Sequence, residues 1–138
     1  MIRAQALEYI RNAFLGTWYI FGGDDPGGID CSGMVIEYLK RPLILKERED
    51  YTAAQLFEMF PSVQQPYMGV LIFYASKVGN INHVAIALND TYMIEAAGGD
   101  RRTRTVEDAK RDNAYVRERK IYGSRIPIGF VDPFFGKL

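Results

Sequence analysis

The apolar positions of this chain change their period part-way along it. Between residues 2 and 15, Ile2, Ala6, Leu7, Ile10 and Phe14 recur at helical spacing and share one face. Gly16 ends that run. The stretch Phe21-Gly22-Gly23-Asp24-Asp25-Pro26-Gly27-Gly28 follows, and such glycine density calls for tight turns and close backbone approach. A second helix is expected from Asp30–Cys31 to about Lys40, with Asp30 suited to the N-cap and Met34, Val35, Tyr38 and Leu39 as its buried stripe. Thr52-Ala53-Ala54-Gln55 carries a capping-box pattern and predicts a short third helix that stops at Pro61. The period then becomes two. Val70–Tyr74, Asn82–Leu88 and Thr91–Ala96 predict strands, and 105–112 a short helix after Thr105. Val116–Tyr122 alternates apolar and charged residues, as a half-exposed strand does. Helices first and a mostly antiparallel sheet afterwards make an α+β fold.

Composition adds exclusions. At 138 residues, one domain over 1–138 is expected. Charged residues are 25% and apolar residues 48%, which is globular rather than disordered. The chain has one cysteine, Cys31, and one histidine, His83. That excludes an internal disulfide framework, Cys-rich zinc sites and paired-His zinc motifs. No metal or cofactor is expected, and the glycine pairs fit neither phosphate-binding nor dinucleotide-binding patterns. Net charge is zero but unevenly placed: residues 1–100 hold 7 Lys/Arg against 12 Asp/Glu, and residues 101–138 hold 10 against 5. The basic tail either touches an anionic polymer or is a solvated face of mixed sign. Nucleic acid is not an expected partner. No apolar run reaches the length of a signal peptide or a spanning helix, so the chain is expected to be made in the cytoplasm and to have no membrane span.

Any chemistry that needs both a thiol and an imidazole must use Cys31 and His83. Cys31 falls where a glycine-rich turn meets a predicted helix N-terminus. Orphan N–H groups and the helix dipole there favour a thiolate, and the same N–H groups can stabilise an oxyanion. Gly33, without a side chain, keeps the approach open. The alternative is a buried, inert cysteine. On strand alternation His83 shares a face with Ala85 and Ala87, while Val84, Ile86 and Leu88 face the core; the alternative is a hydrogen-bonded structural histidine. Glu95 lies on the next strand. If the hairpin loop is Asn89-Asp90-Thr91, Leu88 pairs with Tyr92 and Ala85 with Glu95. His83 and Glu95 are then diagonal neighbours on one face, on the order of 7–8 Å apart at Cα, within reach of a glutamate. A two-residue loop would put them on opposite faces, and Glu95 would be a solvated residue near the Gly98-Gly99 turn. Together the three fit nucleophilic catalysis: Cys31 attacks a carbonyl, His83 moves the proton and Glu95 orients the ring.

At these residues the chain resembles the NlpC-type cell-wall cysteine peptidases, papain-like endopeptidases of bacteria and phages. The resemblance is carried by Tyr19-Ile20-Phe21-Gly22-Gly23, by Gly28-Ile29-Asp30-Cys31-Ser32-Gly33 and, about 50 residues on, by His83-Val84-Ala85-Ile86. It extends from about residue 5 to residue 100. Ile94-Glu95-Ala96-Ala97-Gly98-Gly99 and the later basic strand look most like phage or prophage members. The resemblance implies a papain-like fold with the cysteine on a helix packed against a sheet that bears the histidine. It implies hydrolysis of peptidoglycan stem peptides through a thioacyl intermediate, often at the bond between γ-D-glutamyl and a diamino acid. Cys31 matches the nucleophile and His83 the base. Tyr19, Asp30 and Ser32 match positions that shape the subsite for the stem peptide and its free amino end. Two positions depart: the third catalytic residue is commonly a histidine where this chain has Glu95, and the usual Gly-Asp-Leu is Gly69-Val70-Leu71.

The implied partner is the peptidoglycan stem peptide, with phage tail or lysis proteins as carriers to the bacterial cell wall. Two other readings stay open: an amidase or acyl-transfer thiol enzyme on the same scaffold, and a non-catalytic tail or virion assembly part.

Overall fold

The computed structural model describes residues 2–137. In chain order the elements are α1 (Ile2–Phe14), β1 (Asp24–Asp25), β2 (Gly28–Ile29), α2 (Cys31–Lys40), α3 (Ala53–Met59), β3 (Ser62–Val63), β4 (Leu71–Ala75), β5 (Ile81–Ala87), β6 (Tyr92–Ala97), α4 (Val106–Asp112), β7 (Tyr115–Lys120) and β8 (Gly129–Val131). β1 and β2 form a small hairpin, and the other six strands form one sheet in the order β3-β8-β4-β5-β6-β7. Each of its pairings is antiparallel. The α+β class read from the sequence is correct. The strands it did not show are β1, β2, β3 and β8, which at two or three residues are too short to display a period.

The helices stack on one face of the sheet. Ala6, Leu7, Ile10 and Phe14 of α1 are buried, and Gly16 closes that helix at φ 87°. Met34, Val35, Tyr38 and Leu39 of α2 are fully buried, as the sequence stripe predicts, and Ile36 is buried as well. α2 packs between α1 and the strands β5 and β6. Thr52 and Thr105 each make a complete capping box, with Gln55 and Asp108. Among the described residues no helix is long and apolar enough to cross a membrane.

The sheet buries both faces. Leu71, Phe73, Val84, Ile86 and Ile94 meet the helices in the main core. Val70, Ile72, Tyr74, Ala85, Ala87, Met93 and Phe130 form a second, smaller cluster on the opposite face, joined by Ile121 after β7. The His83–Ala85–Ala87 face is therefore buried as well, with Ala85 and Ala87 closed off from solvent.

The two ends of the fold are tied by one polar knot. Arg3 in α1 holds Asp132 through two parallel bonds of 2.7 and 2.8 Å. Tyr67 donates to the same carboxylate at 2.6 Å, and the Phe134 N–H donates to it at 2.9 Å. Asp132 is only 1% exposed. Burial works to raise its pKa, but the Arg3 and Tyr67 bonds outweigh that and hold it below the usual carboxylate value. A depressed carboxylate contributes stability above its unfolded value of ~3.9 and loses it as pH falls through the lower folded value. Asp132→Ala should strand the Arg3 guanidinium and destabilise the fold by about 2–3 kcal/mol, discounted for the partial exposure of Arg3. A thermal melt at neutral pH should show a drop of roughly 6–10 °C, whereas Asp90→Ala, on an exposed turn, should melt like the parent.

Candidate active site

Three segments converge at the start of α2. Cys31 is its first residue and is partly exposed. Asp30 is the N-cap, as predicted, with one carboxylate oxygen accepting from the Gly33 N–H at 2.8 Å. Its other oxygen accepts from the Gly22 N–H at 2.8 Å, so one side chain fastens the glycine-rich turn to the helix. Further bonds run from the Ile29 N–H to the Trp18 carbonyl and from the Asp30 N–H to the Gly23 carbonyl. Gly33 serves this seam. A Cβ there would run into the Gly23 carbonyl oxygen, so it is glycine because the turn passes against the helix, and not to open an approach to the thiol. Asp30 takes the third N–H of the helix. The N–H groups of Cys31 and Ser32, in the first turn, have no intrahelical acceptor, which makes them the donors available to an oxyanion formed beside the thiol.

His83 and Glu95 meet as the three-residue loop requires. Asn89 Oδ1 accepts from the N–H groups of Thr91 and Tyr92, and the Leu88 N–H donates to the Tyr92 carbonyl. Ile86 faces Ile94 and Ala87 faces Met93, which is the register expected from the sequence. His83 Nε2 and Glu95 Oε1 are 2.6 Å apart. His83 is 9% exposed and Glu95 5%. With Nε2 engaged, Nδ1 is the nitrogen left to exchange a proton with the thiol.

Burial works to lower the His83 pKa, but the hydrogen bonds and charges of Cys31 and Glu95 outweigh it and raise the value to about 9. Burial would likewise raise Glu95, but the His83 bond and the charges of Arg119 and Arg117 hold it below the usual carboxylate value.

Tyr19 lies beside the thiol, 7% exposed, with its ring on Gly99 at a point where a Cβ would collide with it. Burial, then the charges of Cys31 and Asp30, push its phenol above the ordinary range. Tyr19 and Cys31 line two adjoining cavities; His83 and Glu95 border one of them, Asp30 and Ser32 the other. All six residues singled out in the sequence thus lie around one cleft.

Three further side chains at the cleft were not foreseen. Tyr74 tilts over the His83 ring at 5.7 Å between centroids and donates to the Ile121 carbonyl at 2.8 Å. Arg119 Nε lies 3.6 Å from Glu95 Oε2. Arg125 donates to Asn82 at 2.9 Å and lies 5.0 Å over the Tyr74 ring. Alternation on β4 would have placed Tyr74 on the His83 face, and alternation on β7 puts Arg117 and Arg119 together. The partnership of β7 with β6 was not readable. Among the described residues no group of three or more His, Cys, Asp or Glu side chains is placed to hold a metal ion.

The sequence model of the NlpC/P60 family matches residues 16–120. The chain belongs to the NlpC/P60 family. It is 36% identical over 96 residues to Protein P54 of Enterococcus faecium, a match covering 69% of this chain and 17% of P54. The NlpC/p60 domain of the peptidoglycan hydrolase SagA superposes with a TM-score of 0.65 at 26% identity, covering 95% of each chain. An NlpC/P60 family protein of Bacillus cereus ATCC 10987 has a TM-score of 0.74 at 22% identity, over 94% of this chain and 39% of that one. The chain therefore spans well under half the length of P54 and of the Bacillus cereus protein. The NlpC/P60 fold is present here with its helix-borne cysteine and sheet-borne histidine.

The electrostatics of the pair can be tested directly. By NMR, the His83 ring should stay protonated until about pH 9 in the parent protein. Glu95→Gln and Cys31→Ser should each lower that midpoint, since each removes a group that raises it. A parent midpoint near the ordinary ~6.5 would contradict the geometry. By linkage, the stability due to the raised His83 value is complete below ~6.5 and is lost as pH rises through about 9, while the share due to the lowered Glu95 value is lost at the acid end.

Proposed function

We propose that this chain is a cysteine peptidase of the bacterial cell wall that cleaves peptidoglycan stem peptides. The observation that carries the reading is the buried His83–Glu95 pair at 2.6 Å, opening onto a cysteine at a helix N-terminus. Membership of the NlpC/P60 family supports it. So does the likeness to SagA and to RipB of Mycobacterium tuberculosis, both described as peptidoglycan hydrolases; RipB superposes with a TM-score of 0.68 at 22% identity, over 95% of this chain and 66% of that one.

In this reading Cys31 Sγ, its proton held by the His83 imidazolium, attacks the scissile carbonyl, and the oxyanion turns to the N–H groups of Cys31 and Ser32. Collapse breaks the C–N bond. The leaving amine takes the His83 proton, and the acyl group stays on sulfur as a thioester. The neutral ring then takes a proton from water as that water adds to the thioester carbonyl. The second collapse frees the acid, restores the thiolate and leaves His83 protonated. Glu95 holds the ring orientation and stabilises its charge throughout.

In this reading Tyr19, Asp30 and Ser32 line the acyl side of the cleft, and the cleaved bond joins γ-D-glutamyl to a diamino acid. Asp30 there acts largely through structure, because both of its oxygens already accept backbone N–H bonds. Carriage by a phage particle or lysis system rests on sequence resemblance alone.

Purified sacculi incubated with the reduced protein should release stem fragments whose masses report the bond. Cys31→Ala should release none, and Glu95→Gln should turn over about 10²-fold more slowly. The rate should fall above about pH 9, where His83 loses the proton it must deliver, and fall earlier in Glu95→Gln. Intact sacculi after treatment with the active, reduced parent would refute the reading.

A further inference from the structure

The two cavities that meet at Cys31 carry opposite charge. The one bordered by His83 and Glu95, about 540 Å³, is lined by Arg101, Arg119, Lys120 and Arg125. Its two carboxylates are already engaged: Glu95 by His83 and Arg119, and Asp100 by Arg102 at 3.4 Å. The cavity on the other side, about 620 Å³, has Asp24, Glu47, Glu49 and Asp50 among its six carboxylates, against two cations, Lys40 and Arg48. The uneven charge of the sequence thus reappears as a polarity across the nucleophile.

Chemistry assigns the two sides. The departing amine must take its proton from His83, so the leaving segment lies in the cavity that His83 borders. The acyl segment lies on the other side, along the first turn of α2. We propose that Arg101, Arg119 and Arg125 form a subsite that reads a free carboxylate on the leaving segment of the substrate. The assignment rests on the peptidase reading and deepens it, since it selects among diamino acids: a leaving residue with a carboxylate on its side chain, or with a free terminal carboxylate, fits, and an amidated one does not. Arg119 has a second task here, because its Nε lies 3.6 Å from Glu95 Oε2 and helps fix that carboxylate. Arg101 and Arg125 are exposed, and Arg125 would exchange its bond to Asn82 for one to the ligand.

Binding separates this inference from catalysis. The probes are L-alanyl-γ-D-glutamyl-diaminopimelate and two relatives of it, one with the side-chain carboxyl amidated and one with the terminal carboxyl amidated. Calorimetry on the Cys31→Ala protein should show the free acid binding about tenfold tighter than at least one amide, the sum of a few screened ion pairs. The amide that weakens binding names the carboxylate that is read. The preference should shrink as salt is raised. Arg101→Gln combined with Arg125→Gln should bring the ratio close to one, and as a ratio between ligands on one protein it is insensitive to partial loss of folded material. Equal binding of all three probes would overturn the proposal, and so would a ratio unchanged in the double variant. Turnover of the same peptides by the parent protein is read separately. Acid-selective binding without any turnover keeps the subsite and removes the peptidase reading; turnover without acid selectivity does the reverse.

Discussion

The hydrogen bond between His83 and Glu95 exists because the β5–β6 hairpin closes on Asn89, Asp90 and Thr91. Side chains alternate with a period of two, so removing one residue from that loop would carry Glu95 to the helical face and leave His83 without a partner. The loop length is held by Asn89, whose side chain accepts two backbone N–H groups across the turn. The same register puts Ile86 and Ile94 together under α2. Core packing and the geometry of the candidate site are therefore fixed by one choice, and a slip would expose apolar surface as well as break the pair.

Burying that pair has its own consequences. A carboxylate this far from water would be unfavourable alone. It survives ionised because His83 meets one oxygen and Arg119 approaches the other, with Arg117 opposite it on β7. β7 is thus more than an edge strand: its exposed-looking charges face inward at the point where the site needs them. The tilted Tyr74 ring closes the other side of the imidazole and is itself anchored to the Ile121 carbonyl. The ring of His83 is left with one free nitrogen and one direction in which to use it.

Much of this was legible because its causes are local. The Asp30 cap, the Thr52 capping box and the helix start after Thr105 follow from neighbouring residues. The buried stripe of α2 does too. Cys31, His83 and Glu95 could be placed near one another from the helix start and one register assumption. What escaped was long-range. Nothing within Val116–Tyr122 says that the strand lies beside β6, and nothing near Asp132 says that it meets Arg3 across the whole chain. β8 escaped because three residues show no period. The role of Gly33 was misread for the same reason: its neighbour is the Gly23 carbonyl, ten residues away on a separate turn.

The charge pattern shows how a long-range feature acquires meaning only in the fold. In the sequence the basic tail, with its mixed signs, reads first as a solvated face. In the structure Arg101, Arg119 and Arg125 come from the loop after β6, from β7 and from the loop after it, and they reach one wall of the cleft. The acidic residues of the front half reach the other wall. Cys31 sits at the boundary because α2 begins where the two regions meet. A substrate with an amine at one end and a carboxylate at the other has one favoured orientation in such a field. That orientation presents its leaving nitrogen to His83, so the charge that selects the ligand also aligns the bond to be broken.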